Sequence, residues 1–306
     1  MTRSLRSACV AAALTLIGAS CSDPSTGPAP PAIPDEALLA PTADCLRSGS
    51  GPRPDTSTGE LEPATPPWSL RFEDEFDGTA LDTSVWGYRQ EGLRKASHGR
   101  GRAASDRRAV SVARGKLRLS TMVDPSRPGY FLNGHVSTED SYSFQEGIAA
   151  ARIRFQRARG QHGAFWIQSP VPQSEGEGPA LQGAEIDVAE FFGEGYSRGG
   201  LSHFVHYRGE DDTWVKTGGL LPRSVLRLPA GQTWWNSYHI FSVEWSPNAY
   251  VFRVDGRVTW CSSGGVSGVK QFLVLSLLNS DWELAGLRPS RLPQTMSVDW
   301  VRVWQK

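Results

Sequence analysis

This 306-residue chain is short of several things, and each shortage excludes something. It has four cysteines and six histidines, and none of them fall into a cluster with zinc-ligand spacing. It has no excess charge of either sign, since 32 Lys+Arg balance 32 Asp+Glu. Nothing therefore calls for nucleic acid as a partner, which would favour a basic face. The apolar run from Ala8 to Ile17 is ten residues, too short to span a bilayer. Beyond it no segment has convincing 3.6-residue periodicity, and no internal repeat is visible. What remains is a chain with 39% hydrophobic and 21% charged residues, ordinary for a globular protein with a sizeable core. Eleven tryptophans are many. Flat apolar rings pack cores, and they also line clefts that hold sugar rings.

The first 21 residues read as an export signal: Arg3 and Arg6, then the short apolar core, then small residues Gly18-Ala19-Ser20 before Cys21. Cys21 is placed as a lipid acceptor, although Gly18 stands where a lipobox usually has Leu; ordinary cleavage and release is the alternative. Residues 22–67 contain eleven prolines among Ser, Thr, Gly and Ala and read as an extended tether. Cys9 leaves with the signal, so Cys45 and Cys261 remain as one candidate disulfide or as two free thiols. The expected location is outside the cell, as a surface lipoprotein or a secreted protein, with membrane contact only through that lipid.

From residue 68 to 306 the pattern is β, which predicts an all-β sandwich. Val110–Val112 and Lys116–Ser120 alternate around Gly115 as a hairpin would. Tyr238–Trp245 and Tyr250–Val254 alternate across a Ser-Pro-Asn-Ala turn, and Asp255-Gly256 is a strong hairpin signal. Phe272–Leu278 is almost continuously apolar, and Met296–Trp304 alternates again.

The densest chemistry lies in Glu185-Ile-Asp-Val-Ala-Glu190, three carboxylates in six residues with apolar residues between them. Each carboxylate raises the free energy of ionising its neighbours, so such a cluster suits proton chemistry. Glu185 and Asp187 share a strand face, whereas Glu190, five residues on, would point the other way. A single β-bulge between Asp187 and Glu190 would return it to the shared face. A solvated acidic edge strand is the plainer explanation; Phe191-Phe192 argues instead for a buried strand.

These residues resemble the E-[ILV]-D-x-x-E signature of glycoside hydrolase family 16, in its laminarinase-like form. Phe72–Gly78 with Leu81-Asp82 and Trp86, then Gly163-Ala-Phe-Trp166, Val254-Asp-Gly256 and Met296–Trp304 are similar to its other segments, in the expected order. The resemblance implies a jelly roll with a substrate cleft on its concave face and catalysis by Glu185 as nucleophile, Glu190 as acid/base and Asp187 between them. It implies retention of configuration, with like-charge repulsion keeping Glu190 protonated. It places Trp166 as a sugar-stacking residue, His206 as a cleft histidine, Trp282 on a loop that lacks the family's glycines, and Asn133 along the cleft. It also implies Asp299 and the Gly115 carbonyl as ligands of a structural calcium, with no cofactor required for catalysis. The expected partner is a polysaccharide, β-1,3-glucan first, acted on by a monomer. A galactan substrate, transglycosylation, and a lectin-like binding module are the alternatives. Arg94, Lys95, Arg100, Arg102, Arg107 and Arg108 form a basic loop, read as solvated surface or as a contact for an anionic polysaccharide.

Overall fold

The computed structural model describes residues 68–92, 99–171, 177–222, 225–226 and 228–306. The expected signal, Cys21, the Pro-rich stretch, Cys45, Arg94 and Lys95 lie outside the described residues. Among the described residues no helix is long and apolar enough to cross a membrane.

Strands dominate, as alternation and turn chemistry predict, and they form two layers. One layer is built on the long closing strand β17 (Gln294–Gln305), with β8 (Gly147–Arg154) on one edge. On its other edge lie β1 (Ser69–Asp74) and β5 (Leu117–Val123). Beyond β8 follow β13 (His239–Ser246), β14 (Ala249–Val254) and β15 (Arg257–Ser262). The second layer runs β12 (Trp214–Leu220), β11 (Leu201–Arg208), β10 (Glu185–Phe191), β9 (His162–Gln168), β16 (Gln271–Leu278) and β6 (Phe131–Ser137). Because β6 also pairs with β5, the two layers form one continuous sheet. The short strands β2 (Gly87–Tyr88), β3 (Ala103–Ser105), β4 (Val110–Val112) and β7 (Ser143–Phe144) extend its margins, and β3 alone pairs parallel, with β6. One short helix, α1 (Gly178–Gln182), precedes β10.

The hairpins form where the turn residues predict them. Arg114 and Gly115 at φ 56° and 65° join β4 to β5, and Asp255 and Gly256 at φ 48° and 73° join β14 to β15. Consecutive left-handed residues match the twist of a two-residue hairpin.

The core fills the space between the layers. Phe155 packs on Phe191 of β10 at 5.5 Å and on Phe241 of β13 at 5.2 Å between centroids. Phe165 and Ile167 of β9, Ile186 and Val188 of β10, and Leu273, Leu275 and Leu277 of β16 are fully buried in it. Because side chains alternate along a strand, the residues between them face the opposite way. Those residues are His162, Trp166 and Gln168 on β9, Glu185 and Asp187 on β10, and Ser276 on β16. The first described strand and the segment after it are tied into the same scaffold. Trp86 Nε1 donates to Asp74 at 2.7 Å, and the Arg302 guanidinium holds Glu75 through two hydrogen bonds of 2.7 and 3.0 Å.

Candidate active site

The acidic strand carries the bulge that its spacing calls for. Asp187 is in register with Phe204 on β11, and the next pair is Glu190 with Ser202, so three steps on β10 match two on β11. On the other side Asp187 pairs with Trp166 and Ala189 with Phe165, two steps against one. The extra residue shifts the alternation by one, and Glu190 joins Glu185 and Asp187 on the face opposite to Ile186, Val188 and Phe191. Asp187 is buried, and the two glutamates are half-buried.

All three carboxyl groups are pushed up to about 7. Burial is the main cause for each, because a low-dielectric site disfavours the ionised form. The Asp187 charge is the second cause for both glutamates. Repulsion is thus the smaller effect, and burial does more than the neighbouring charges. Groups this close titrate as a set, holding more protons and fewer charges near neutral pH than three isolated acids would.

Surrounding side chains hold each member in place. Gln168 Nε2 donates to Glu185 Oε2 at 3.2 Å, and Arg89 donates to the same Gln168 amide through its oxygen. His206, opposite Glu185 on β11, places Nε2 at 3.2 Å from Asp187 Oδ2. Burial lowers the His206 pKa, so its imidazole favours the neutral form. Ser202 Oγ donates to Glu190 Oε2 at 3.3 Å. Lys216 on β12 sits over the Phe204 ring at 3.9 Å.

His162 has a different character. Burial works against its cation, but the charge and hydrogen bond of Glu283, 2.6 Å from Nδ1, outweigh it and push the imidazole up to about 9. A protonated imidazole therefore stands near Glu190 through neutral pH. Glu283 is itself fixed by a capping box with Ser280 at the turn Asp281–Gly286.

The expected sugar-contacting residues divide. Trp166 is half-buried on the site face, its indole N–H donating to Ser276 Oγ at 3.1 Å and the Arg89 guanidinium 5.3 Å from its ring. Trp282 is 41% exposed and leans on Phe192 at 5.9 Å, which in turn lies 5.6 Å from His162. Trp282 thus stands exposed on a turn without those glycines, two ring contacts away from His162. Asn133 is a correction: it is 1% exposed, and its amide is engaged inside the fold. With its amide oriented by the hydrogen-bond network, it donates to Asn279 Oδ1 at 2.7 Å and accepts from Asn279 N–H at 2.9 Å. It buttresses the strand and does not line the cleft.

The calcium expectation also needs correction. The Asp299 carboxylate is ion-paired with both Lys116 and Arg152, and Lys116 Nζ donates to the Gly115 carbonyl at 2.9 Å. Two cations already occupy the oxygens that a divalent ion would need, so these residues do not fit one. Cys261 is disulfide-bonded, and Cys45, its expected partner, lies outside the described residues.

Gln168, His162 and Glu283 escape a motif search. The first two sit two and four residues from Trp166, so strand parity from that tryptophan would have found them. Glu283 is 121 residues from His162 and leaves no such signal.

Comparison with known proteins gives the family and the fold. The family model described as glycosyl hydrolases family 16 matches residues 97–263. The chain is 29% identical over 294 residues to glucan endo-1,3-beta-glucosidase A1 of Niallia circulans, covering 84% of this chain and 42% of that protein. It is 24% identical over 254 residues to keratan-sulfate endo-1,4-beta-galactosidase of Sphingobacterium multivorum, covering 79% and 56%. It thus spans about half the length of these relatives. Among solved structures, SCLam, a non-specific endo-beta-1,3(4)-glucanase, superposes with a TM-score of 0.64 at 19% identity, covering 89% of this chain and 97% of that one. At that identity the superposition establishes the jelly-roll fold.

Proposed function

This chain belongs to glycosyl hydrolases family 16, and from that premise we propose that it is a retaining endo-β-1,3-glucanase. The observation that carries the proposal is the bulge at Val188, which aligns three carboxyls on the open face of β10. Glu190, protonated, gives its proton to the glycosidic oxygen as that bond breaks. Glu185, ionised, attacks the anomeric carbon and forms a glycosyl-enzyme ester. Water, deprotonated by Glu190, then cleaves the ester and restores the starting configuration. Burial supports the acid role, since it holds Glu190 protonated near neutral pH. Gln168 keeps Glu185 aimed, and His206 with Asp187 lies beside the bond being made.

The glucan relative supports β-1,3-glucan as the substrate. A galactan is the second reading. It is supported by the keratan-sulfate relative and by the cations around the carboxyls: Arg89, Arg100, Lys216 and protonated His162. Incubation with laminarin, lichenan, agarose and carrageenan, followed by product sizing, separates them. Internal cleavage of laminarin is the expected result; cleavage of a galactan alone would replace the first reading with the second.

The export signal and Cys21 support attachment of the enzyme to a membrane surface by lipid, with residues 22–67 as tether. Cys21→Ser should then move the protein from the membrane fraction to the medium at unchanged activity. A wild-type protein found wholly in the medium, with a mature N-terminus other than residue 21, would leave simple secretion.

A further inference from the structure

Among the residues of β10 from Glu185 to Phe191, Val188 alone has no register partner on either neighbouring strand. It is fully buried, so water does not reach its carbonyl. A buried carbonyl in that position needs a donor from elsewhere. The donor is His203, whose Nδ1 lies 2.6 Å from Val188 O. His203 is on β11, directed into the core and 0% exposed, with its ring 4.9 Å from Phe252 of the opposite layer. Its Nε2 is 2.8 Å from Thr259 Oγ1 on β15.

The network determines the tautomer. Burial pushes the His203 pKa down to about 3, so the ring is neutral and carries one N–H. A carbonyl only accepts, so that proton is on Nδ1, and Nε2 accepts the single Thr259 hydroxyl proton at 2.8 Å in preference to the Phe252 carbonyl at 3.2 Å. A chain of two hydrogen bonds therefore runs from the far layer of the sandwich to the one irregular peptide of the acidic strand.

We propose that His203 is the positioning residue of this active site: it holds the bulge at Val188 open, with Thr259 anchoring its other ring nitrogen, and so sets Glu190 against Glu185. This rests on the reading of those two glutamates as the catalytic pair. The physical reason is register. A strand that loses its bulge regains regular pairing, and every residue beyond the slip changes face. Glu190 lies two residues past Val188 and is the group that would move. An apolar side chain could fill the same volume and pack on Phe252, but it could not satisfy the carbonyl.

Three variants test this, each assayed per folded molecule on laminarin, with the folded fraction taken from thermal melts. His203→Leu keeps the bulk and removes both hydrogen bonds. It should lower kcat about 10²-fold, the scale of an ångström-level misplacement, with KM little changed. His203→Asn places an amide N–H where Nδ1–H was, and should recover most of that loss. Thr259→Val removes the hydrogen bond that anchors Nε2 and should give an intermediate kcat. A merely structural role would reduce the yield of folded protein and leave kcat per folded molecule unchanged. A folded His203→Leu enzyme with parental kcat, or His203→Asn no better than His203→Leu, would overturn the proposal. Should His203→Leu not fold, the comparison of Thr259→Val with the parent decides, and parental kcat there overturns it. Crystal structures add an arm that needs no substrate: Glu190 should be displaced in His203→Leu, or in Thr259→Val if the leucine variant does not fold, and an unmoved Glu190 overturns the proposal. Inactivity of the parent chain on laminarin would instead strike the glucanase reading, and the crystallographic arm would still decide the role of His203.

Discussion

Both layers of this fold bury carboxylates, in opposite company. Glu244 on β13 is 6% exposed, and Arg253 Nη2 on the neighbouring β14 is 2.8 Å from its Oε2. Asp299 on β17 likewise has Lys116 and Arg152. On β10, by contrast, Glu185, Asp187 and Glu190 lie side by side, and among the described residues a glutamine amide and a serine hydroxyl donate to the two glutamates. Lys216 and protonated His162 act on that group only through their fields. A paired buried charge holds structure together. An acid cluster with no cation in contact has its pKa displaced, and displaced pKa values are what proton transfer requires. The difference separates scaffold from chemistry more sharply than the count of acidic residues does.

The largest effect should come from the clustered set. Glu185→Gln or Glu190→Gln should each lower kcat by about 10²–10⁴-fold or more, with the fold intact by circular dichroism. Near-parental turnover in both would remove these residues from the mechanism. Azide should rescue Glu185→Ala to an inverted glycosyl azide and Glu190→Ala to a retained one, read by the anomeric proton coupling.

The paired set should answer in the other currency, stability. Glu244→Gln leaves the Arg253 charge buried without its partner, which typically costs about 3–5 kcal/mol. Denaturant unfolding should show that loss while kcat of the folded enzyme stays parental. A fall in kcat with unchanged stability would break the comparison.

Asp187→Asn falls between. It removes one charge beside both glutamates without removing the nucleophile or the acid. Activity should drop less than for either glutamate, about 10-fold to 10²-fold, and the pH–rate profile should move to lower pH, since the Asp187 charge helps raise both partners. An unchanged profile would argue that Asp187 does not act on its neighbours.

The smallest effect concerns stability against pH, and its sign is fixed by the direction of the shifts. Each carboxyl of the cluster has a folded pKa raised to about 7. The folded state therefore favours the protonated form more than the unfolded chain does. That stabilisation is fully present below the ordinary carboxylate range near about 4 and is lost as pH rises through about 7. A neutral amide does not lose it. Glu185→Gln, Asp187→Asn and Glu190→Gln should each be more stable than the parent at pH 8, by about 1–3 kcal/mol, with the gain vanishing below pH about 4. A variant less stable than the parent at pH 8 would show that the carboxylate contributes more in hydrogen bonds than it costs in burial.

The amino-acid sequence by itself determined the strand alternation, the hairpins at Gly115 and Asp255-Gly256, and the six-residue acidic motif with its requirement for a bulge. All of these are short-range: they follow from period two, from residues that tolerate positive φ, and from the parity of Glu185, Asp187 and Glu190. Tertiary structure alone decided which groups those residues meet. Asn133 is buried against Asn279, and Asp299 meets Lys116 and Arg152 instead of a metal ion. His162 is charged because Glu283 arrives from 121 residues away, and Val188 is held by His203, which Thr259 reaches across the sandwich. Local periodicity tells a side chain which face to take. The partner waiting on that face is set by sheet register and layer packing, which join residues far apart in the chain and leave no spacing for a linear motif to record.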